Sequence, residues 1–259
     1  MLLLVGAGLV TGSIRKALHV NLGFDPERTT IAAFDLNLDG YDEPRGREFE
    51  RRLLEKLRAQ PGVESAAVAS MIPLDLKWIV GNIYFEGAGP ARESDTQKAL
   101  FYQVTPGYFE TVHTRLLAGR DFDERDRLGG HLGDHVGARR VAIVNETFAR
   151  STPKNASAVG SRFRSSPDDE WVEVVSVVES GKHISLSTGP IVAVYVPREQ
   201  AYSLGATVAL RSNLQTGEAL GLILRTVAGL DAAVTLYDAG SLTDHLTLQR
   251  CRAGRPRAL

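Results

Sequence analysis

Two rhythms of apolar and polar positions run along this chain, and they sort it into elements. "EPRGREFERRLLEKLRAQPGV" (43–63) places Phe49, Leu53, Leu54 and Leu57 at i, i+4, i+5 and i+8, one apolar stripe with arginine and glutamate around the rest. That spacing predicts an amphipathic helix. Gln60-Pro61-Gly62 ends it, because proline cannot continue the hydrogen-bond ladder. The apolar runs on either side, "TTIAAFDLN" (29–37) and "VESAAVASMIPL" (63–74), predict strands.

The middle of the chain changes character. Strands are predicted at 82–86 and 98–104, a turn at Pro106-Gly107, and a short helix in "GYFETVH". "LLAGRDFDERDRLGGHLGDHVGARR" (116–140) reads as a charged, glycine-rich loop, long enough to be functional. "VAIVNETFAR" predicts a buried strand running into a short helix. "SAVGSRFRS", "EWVEVVSVVESGKH" and "IVAVYVPREQA" predict three more strands. From 206 the opening rhythm returns: a strand in "ATVALRSN", a helix in "LQTGEALGLILRTVAGL", a strand in "AAVTLYDAG" and a last helix in "SLTDHLTLQR". Strand–helix–strand at both ends of a strand-rich block predicts an α+β fold in which a discontinuous domain carries an insertion.

Composition changes this picture little. Of 259 residues 43% are hydrophobic and 24% charged, the ordinary mix of a globular protein, and the formal net charge of -1 removes the global basic field that nucleic acid would call for. The last ten residues, "RCRAGRPRAL", hold four arginines and no acid. A lone cysteine, Cys251, excludes an intrachain disulfide and a multi-cysteine metal site. The apolar opening "MLLLVGAGLV" amounts to roughly 15 Å of helix, short of a bilayer span.

Candidate chemistry is sparse. Gly6, Gly8 and Gly12 with Asp35 further on resemble a dinucleotide-binding fingerprint, but the strands and loops that follow do not continue as parallel βα units. The same glycines suit the end of a membrane helix. His131, Asp134 and His135 form H-x-x-D-H among glycines, which argues for a solvated loop over a metal site. Asp121, Asp123, Glu124 and Asp126 lack the spacing of a calcium loop. Asn145 and Glu146 follow a buried strand, where they read as the cap and first turn of a helix. Trp78 and Trp171 read as core or interface residues. No nucleophile, base and oxyanion donor come together, so no enzyme is expected and no catalytic, cofactor or metal residue is assigned.

The segments "LLLVGAGLVTGSIRKALHVNLGFDPERTTIAAFDL", "FERRLLEKLRAQPGVESAAVASMIPL", "VTPGYFETVHTRLLAGRDFDERD", "VAIVNETFAR", "VGSRFR", "WVEVVSVVESGKHISLSTGPIVAVYVPREQ" and "VTLYDAGSLTDHL" occur in order over residues 2–248. Together they resemble the periplasmic core domain of MacB/FtsX-type ABC transporter permeases, of the duplicated-permease type. The resemblance implies a porter-like α/β lobe built from both ends of the chain (28–80 and 204–248) and an inserted Sabre-like, strand-rich lobe (81–203). It also implies a non-catalytic domain on the periplasmic side of the cell inner membrane. Such a domain transmits conformational change or contacts substrate and partners in efflux or lipoprotein-type export. Implied partners are a cytoplasmic ATP-binding subunit, the membrane, and a second permease copy or periplasmic protein.

Two departures from the family accompany the resemblance. Residues 1–18 match only the outer end of a first transmembrane helix, and 249–259 form an arginine-rich tail in place of a second one. A truncated permease fragment is therefore expected. The competing readings are a free-standing binding or sensory module at the membrane surface and an NAD(P)-dependent oxidoreductase using Gly6, Gly8 and Gly12. The loops at 87–97 and 123–140 are candidate contact surfaces.

Overall fold

A computed structural model describes residues 22–75, 78–87, 97–126, 139–152, 157–183, 189 and 191–253. Among them lie β1 (Thr29–Asp35), α1 (Glu43–Arg58), β2 (Val63–Ala69), β3 (Val80–Phe85), β4 (Gln97–Val104), α2 (Tyr108–Thr111) and β5 (Leu116–Gly119). They are followed by β6 (Arg140–Asn145), α3 (Glu146–Ser151), β7 (Arg162–Arg164), β8 (Val172–Val178) and β9 (Ala193–Pro197). The last elements are β10 (Gly205–Ser212), α4 (Thr216–Ala228), β11 (Leu236–Ser241) and α5 (Leu242–Ala253). The mixture of helices and strands is α+β.

The ends of the chain build a four-stranded sheet in the order β11-β1-β10-β2. β1 and β2 are both antiparallel to β10, hence parallel to each other with β10 between them. β10 and β11 flank β1 in the same way. The result is two interleaved β-α-β units. Asp42 caps α1 by accepting from the Arg45 amide at 3.0 Å, with Pro44 in the first turn, where its missing N–H costs no bond. The apolar stripe of α1 then packs with Leu222, Ile223 and Val227 of α4 against Ala32, Phe34, Ala66, Val68, Val208 and Leu210 of the sheet. The alternate residues Ile31, Ala67, Ala69 and Ala209 are buried on the other face. Both faces being covered, β1 reads as a continuous apolar run rather than an alternating one.

The middle of the chain closes a ring. β4 pairs β3, β3 pairs β7, β7 pairs β8, β8 pairs β6, β6 pairs β9, and β9 returns to β4. A cluster containing Ile83, Ala142, Val144, Phe163, Val174 and Val194 is sealed by Phe148 of α3. The expected loop over 116–140 is corrected at its start: Leu116–Gly119 pairs with β8 as β5, and Glu124–Asp126 forms a 3₁₀ turn. Leu116, Leu117 and Ala118 are apolar, but a four-residue, mostly exposed strand that runs straight into a charged segment is too short to show a period of two. The strand expected over 157–165 shortens to β7. Gly160, at φ +87°, turns the chain there, and its amide bonds to the Val174 carbonyl.

Between the halves lies an aromatic core. Tyr102 of β4 stacks on Tyr195 of β9 at 5.0 Å, and Phe109 of α2 meets Tyr195 edge-on at 4.9 Å. Buried His183 bonds Tyr102 Oη through Nδ1 at 2.9 Å, and its carbonyl accepts from the Leu74 amide. Burial pushes the imidazole pKa down to about 4. Between about pH 6.5 and that value the unfolded imidazole holds a proton that the folded one lacks, so acid favours unfolding. Lowering the pH from 7.5 to 4.5 is expected to remove on the order of 2 kcal/mol of stability through this group alone. Urea unfolding of His183→Gln across that range checks it: the variant's stability should fall less steeply with acid than the parent's.

Candidate functional site at the junction of the two halves

The four-stranded sheet and the ring meet at β4, where Ala69 of β2 pairs with Val104. On the α1 side of this seam stands a buried ion pair. Arg198, which directly follows β9, donates through Nε and Nη2 to the two carboxylate oxygens of Glu50 at 2.9 and 2.6 Å. The side chains are 2% and 6% exposed. Burial raises the Glu50 pKa, and the guanidinium opposes that rise. A second bond from Arg198 Nη2 reaches the Ser203 carbonyl at 2.6 Å, and Ser203 Oγ donates to Gln103 of β4.

Tyr202 lies under both Arg47 and Arg198, with guanidinium carbons 4.6 and 4.9 Å from its ring centre. Arg47 bridges Glu43 and Glu199. Gly46 is in α1 because a Cβ there would collide with the Tyr202 hydroxyl and Leu204. Arg58, at the end of α1, donates to the Ala66 carbonyl at 2.7 Å and to the Pro106 carbonyl at 2.9 Å. The helix α1 is thus bolted to the ring at both ends.

On the opposite face of the sheet a cleft of about 250 Å³ lies between β1, β10, the segment after β2, Trp78–Ile79 and α5. Its floor includes Ile31, Ala33 and Met71, and Tyr237, Asp238 and His245 form one wall. Ser203 and Gly205 line it too, so the segment that holds the ion pair also borders the cleft.

The candidate residues read from the sequence scatter rather than converge. Asp35 ends β1, whose sheet neighbours are both antiparallel. The described strands therefore offer no parallel-strand crevice at Asp35 for a dinucleotide. Gly6, Gly8, Gly12, His131, Asp134 and His135 lie outside the described residues, as do 88–96 and 127–138 of the two loops. Asp126 is buried and takes a bidentate bond from Arg120 at 2.6 and 2.8 Å, while Asp123 pairs with Arg125. Asp121 accepts from the Gly107 and Phe122 amides. Glu124 lies in the 3₁₀ turn with these acids. Among the described residues no group of three or more His, Cys, Asp or Glu is placed to hold a metal ion.

Asn145 caps α3 as expected, accepting from the Phe148 amide at 3.0 Å, and also binds the Ala193 amide and Ile191 carbonyl across to β9. Glu146, in the first turn, accepts from the Ser180 amide. Trp171 stacks under Arg164, whereas Trp78 is exposed at the cleft and is no part of the core. Cys251 lies in α5. No described helix is long and apolar enough to cross a membrane. The Glu50–Arg198 pair was missed, although Glu50 with Leu53, Leu54 and Leu57 makes an i, i+3, i+4, i+7 set, a charge inside an apolar stripe.

The sequence profile of the MacB-like periplasmic core domain matches residues 7–233. The chain belongs to that family. Its fold is similar to the periplasmic region of MacB from Actinobacillus actinomycetemcomitans, with a TM-score of 0.54 at 13% identity over 93% of this chain and 99% of the other. A domain of a putative permease protein from Porphyromonas gingivalis is similar at 15% identity and a TM-score of 0.49, covering 90% of this chain and 100% of that one. The extracellular domain of the noncanonic ABC-type transporter YknZ from Gram-positive bacteria gives 14% and 0.48, over 81% and 100%. No curated protein sequence matches the chain.

In this MacB-like domain the junction makes a direct prediction. Removing one partner of a buried pair strands a charge and costs about 3–5 kcal/mol, whereas replacing both by apolar groups is often near neutral. Glu50→Leu and Arg198→Met should each destabilise the fold by that amount, and the double variant by clearly less than their sum. Denaturant unfolding of the four proteins checks it; additive losses would show that the charges do not act as a pair.

Proposed function

We propose that this MacB-like domain serves an ABC transporter permease as its extracytoplasmic part, taking part in export without chemistry of its own. The observation that carries the reading is the bolted junction. Arg198–Glu50, Arg58 and the shared strand β4 hold the two halves in one orientation, so a displacement applied to one half moves the other with it. A domain built this way is suited to pass on movement or to present a contact surface. On this reading 28–80 and 204–248 form the porter-like lobe, and 81–203 the inserted Sabre-like lobe. The domain stands on the periplasmic side of the inner membrane. A cytoplasmic ATP-binding subunit is the source of movement, with a second permease copy or a periplasmic protein as further partner.

Affinity purification of the tagged protein from detergent-solubilised native membranes tests the proposal. An ABC-type ATP-binding subunit is expected to co-purify in stoichiometric amount. Recovery of intact, membrane-associated protein with no such subunit would overturn it in favour of a free-standing surface module. Quenching or shift of Trp78 and Trp171 fluorescence by millimolar NAD(P) would instead restore the oxidoreductase reading.

A further inference from the structure

The cleft on the sheet face combines three features that ordinary packing does not require. Trp78, Ile79, Val80 and Tyr237 are exposed by 47, 45, 53 and 37%, and three of them gather at this one place. The Trp78 indole donates to the Asp75 carbonyl at 2.8 Å, which fixes its ring while leaving its surface open.

The second feature is a bulge in β11. Ile31 pairs with Gly240 but Ala33 pairs with Tyr237, so β11 carries one residue more than β1 over this stretch. Asp238, at the bulge, adopts φ +46°. In a regular strand Tyr237 and Asp238 would face opposite sides of the sheet; here both line the cleft.

The third feature is charge. Several exposed carboxylates elsewhere sit against arginines, as Glu64 does with Arg28, Glu48 with Arg51 and Glu86 with Arg162. No lysine or arginine is among the described residues that line this cleft. Asp75 and Asp238 line the cleft together with Tyr237, and partial burial, and after it the carboxylates of Asp35, Asp238 and Asp75, push the Tyr237 phenol pKa up.

A volume of about 250 Å³ lies below the roughly 300–1,000 Å³ of sites that enclose a drug-sized molecule, and it holds one or two side chains. We propose that the cleft docks an extended segment of a partner protein that presents an aliphatic side chain next to an arginine or lysine. The aliphatic group packs on Ile31, Ala33 and Met71. The cation lies against the faces of Trp78 and Tyr237, balanced by Asp238. This deepens the partner-contact side of the function proposed above and rests on it. Failure here would leave recovery of the ATP-binding subunit unaffected.

The test uses the full chain with Trp171→Phe, so that Trp78 alone reports. It is titrated with the peptide acetyl-Ala-Leu-Arg-Leu-Arg-Ala-amide, with the same peptide carrying Gln for Arg, and with octylguanidinium, a cation with an aliphatic chain and no peptide backbone. The Arg peptide is expected to shift Trp78 emission saturably, and binding is expected to weaken with added salt. The Gln peptide and Asp238→Asn should each weaken it by about tenfold or more, the size of one charge-assisted contact. Asn retains the backbone conformation of Asp238, and the two peptides compared on the parent decide the same question without that variant. Three results would overturn the proposal: no response to millimolar Arg peptide, equal binding of the Gln peptide, or octylguanidinium binding as tightly as the Arg peptide. The last would make the cleft a small-amphiphile site.

Discussion

A β-strand has two hydrogen-bonding edges, and β4 uses one of them twice. Its first residues pair with β3 and its last with β2, while the opposite edge pairs with β9 over Leu100–Val104. That arrangement lets a four-stranded sheet and a closed ring share one strand with no linker between them. The β2–β4 seam itself is a single residue pair, reinforced by Ser70 and Thr105 amides bonded to the Gln103 and Val68 carbonyls. Hydrogen bonds of that number contribute a few kcal/mol at most. The seam holds because Tyr102, Tyr108, Phe109, Val112 and Leu246 are buried across it. Each large apolar side chain so buried contributes about 1.5–3 kcal/mol.

Apolar burial does not by itself fix an angle between two bodies, since greasy surfaces slide. Directional bonds do. The bidentate Arg198–Glu50 pair has one good geometry, and both charges lose their partner if the halves rotate apart. Its net contribution to stability can be close to zero, because desolvation offsets attraction. Its contribution to orientation is not, because every alternative angle leaves a buried charge unpaired. Gly46 and Tyr202 show how closely the surroundings are fitted to this geometry, with no room for a methyl group between helix and ring.

Individual elements were largely legible in the sequence, and the way they assemble was not. α1 announced itself through Phe49, Leu53, Leu54 and Leu57, and Asn145 through its place between an apolar run and a helix. Both signals are local: side chains a few residues apart create them. The closure of the ring depends on β3 meeting β7 and β9 meeting β4 across tens of residues, and no periodicity encodes such a meeting. The 3-for-2 register of β11 against β1 was hidden for the same reason, since a bulge is a mismatch between two strands and neither strand shows it alone. Element order alone suggested a discontinuous domain carrying an insertion, and the resemblance to a known family implied the same outline, but neither says which strands pair. Glu50 was readable in principle and overlooked, because a glutamate in a helix full of glutamates and arginines looks solvated until the stripe it sits in is counted.

Junction and cleft are two sides of one short segment. Between Arg198 and Gly205 the chain leaves the ring, passes Tyr202 and Ser203, and enters β10. Ser203 receives Arg198 through its carbonyl, bonds Gln103 through its hydroxyl, and borders the cleft. A group seated in the cleft therefore rests on the segment that sets the orientation of the halves. Occupancy of the cleft and the angle at the seam are linked whenever an occupant fits one angle better than another, since a ligand shifts an equilibrium only by its differential affinity. That linkage is a physical route by which contact at one surface reaches the other half of the molecule.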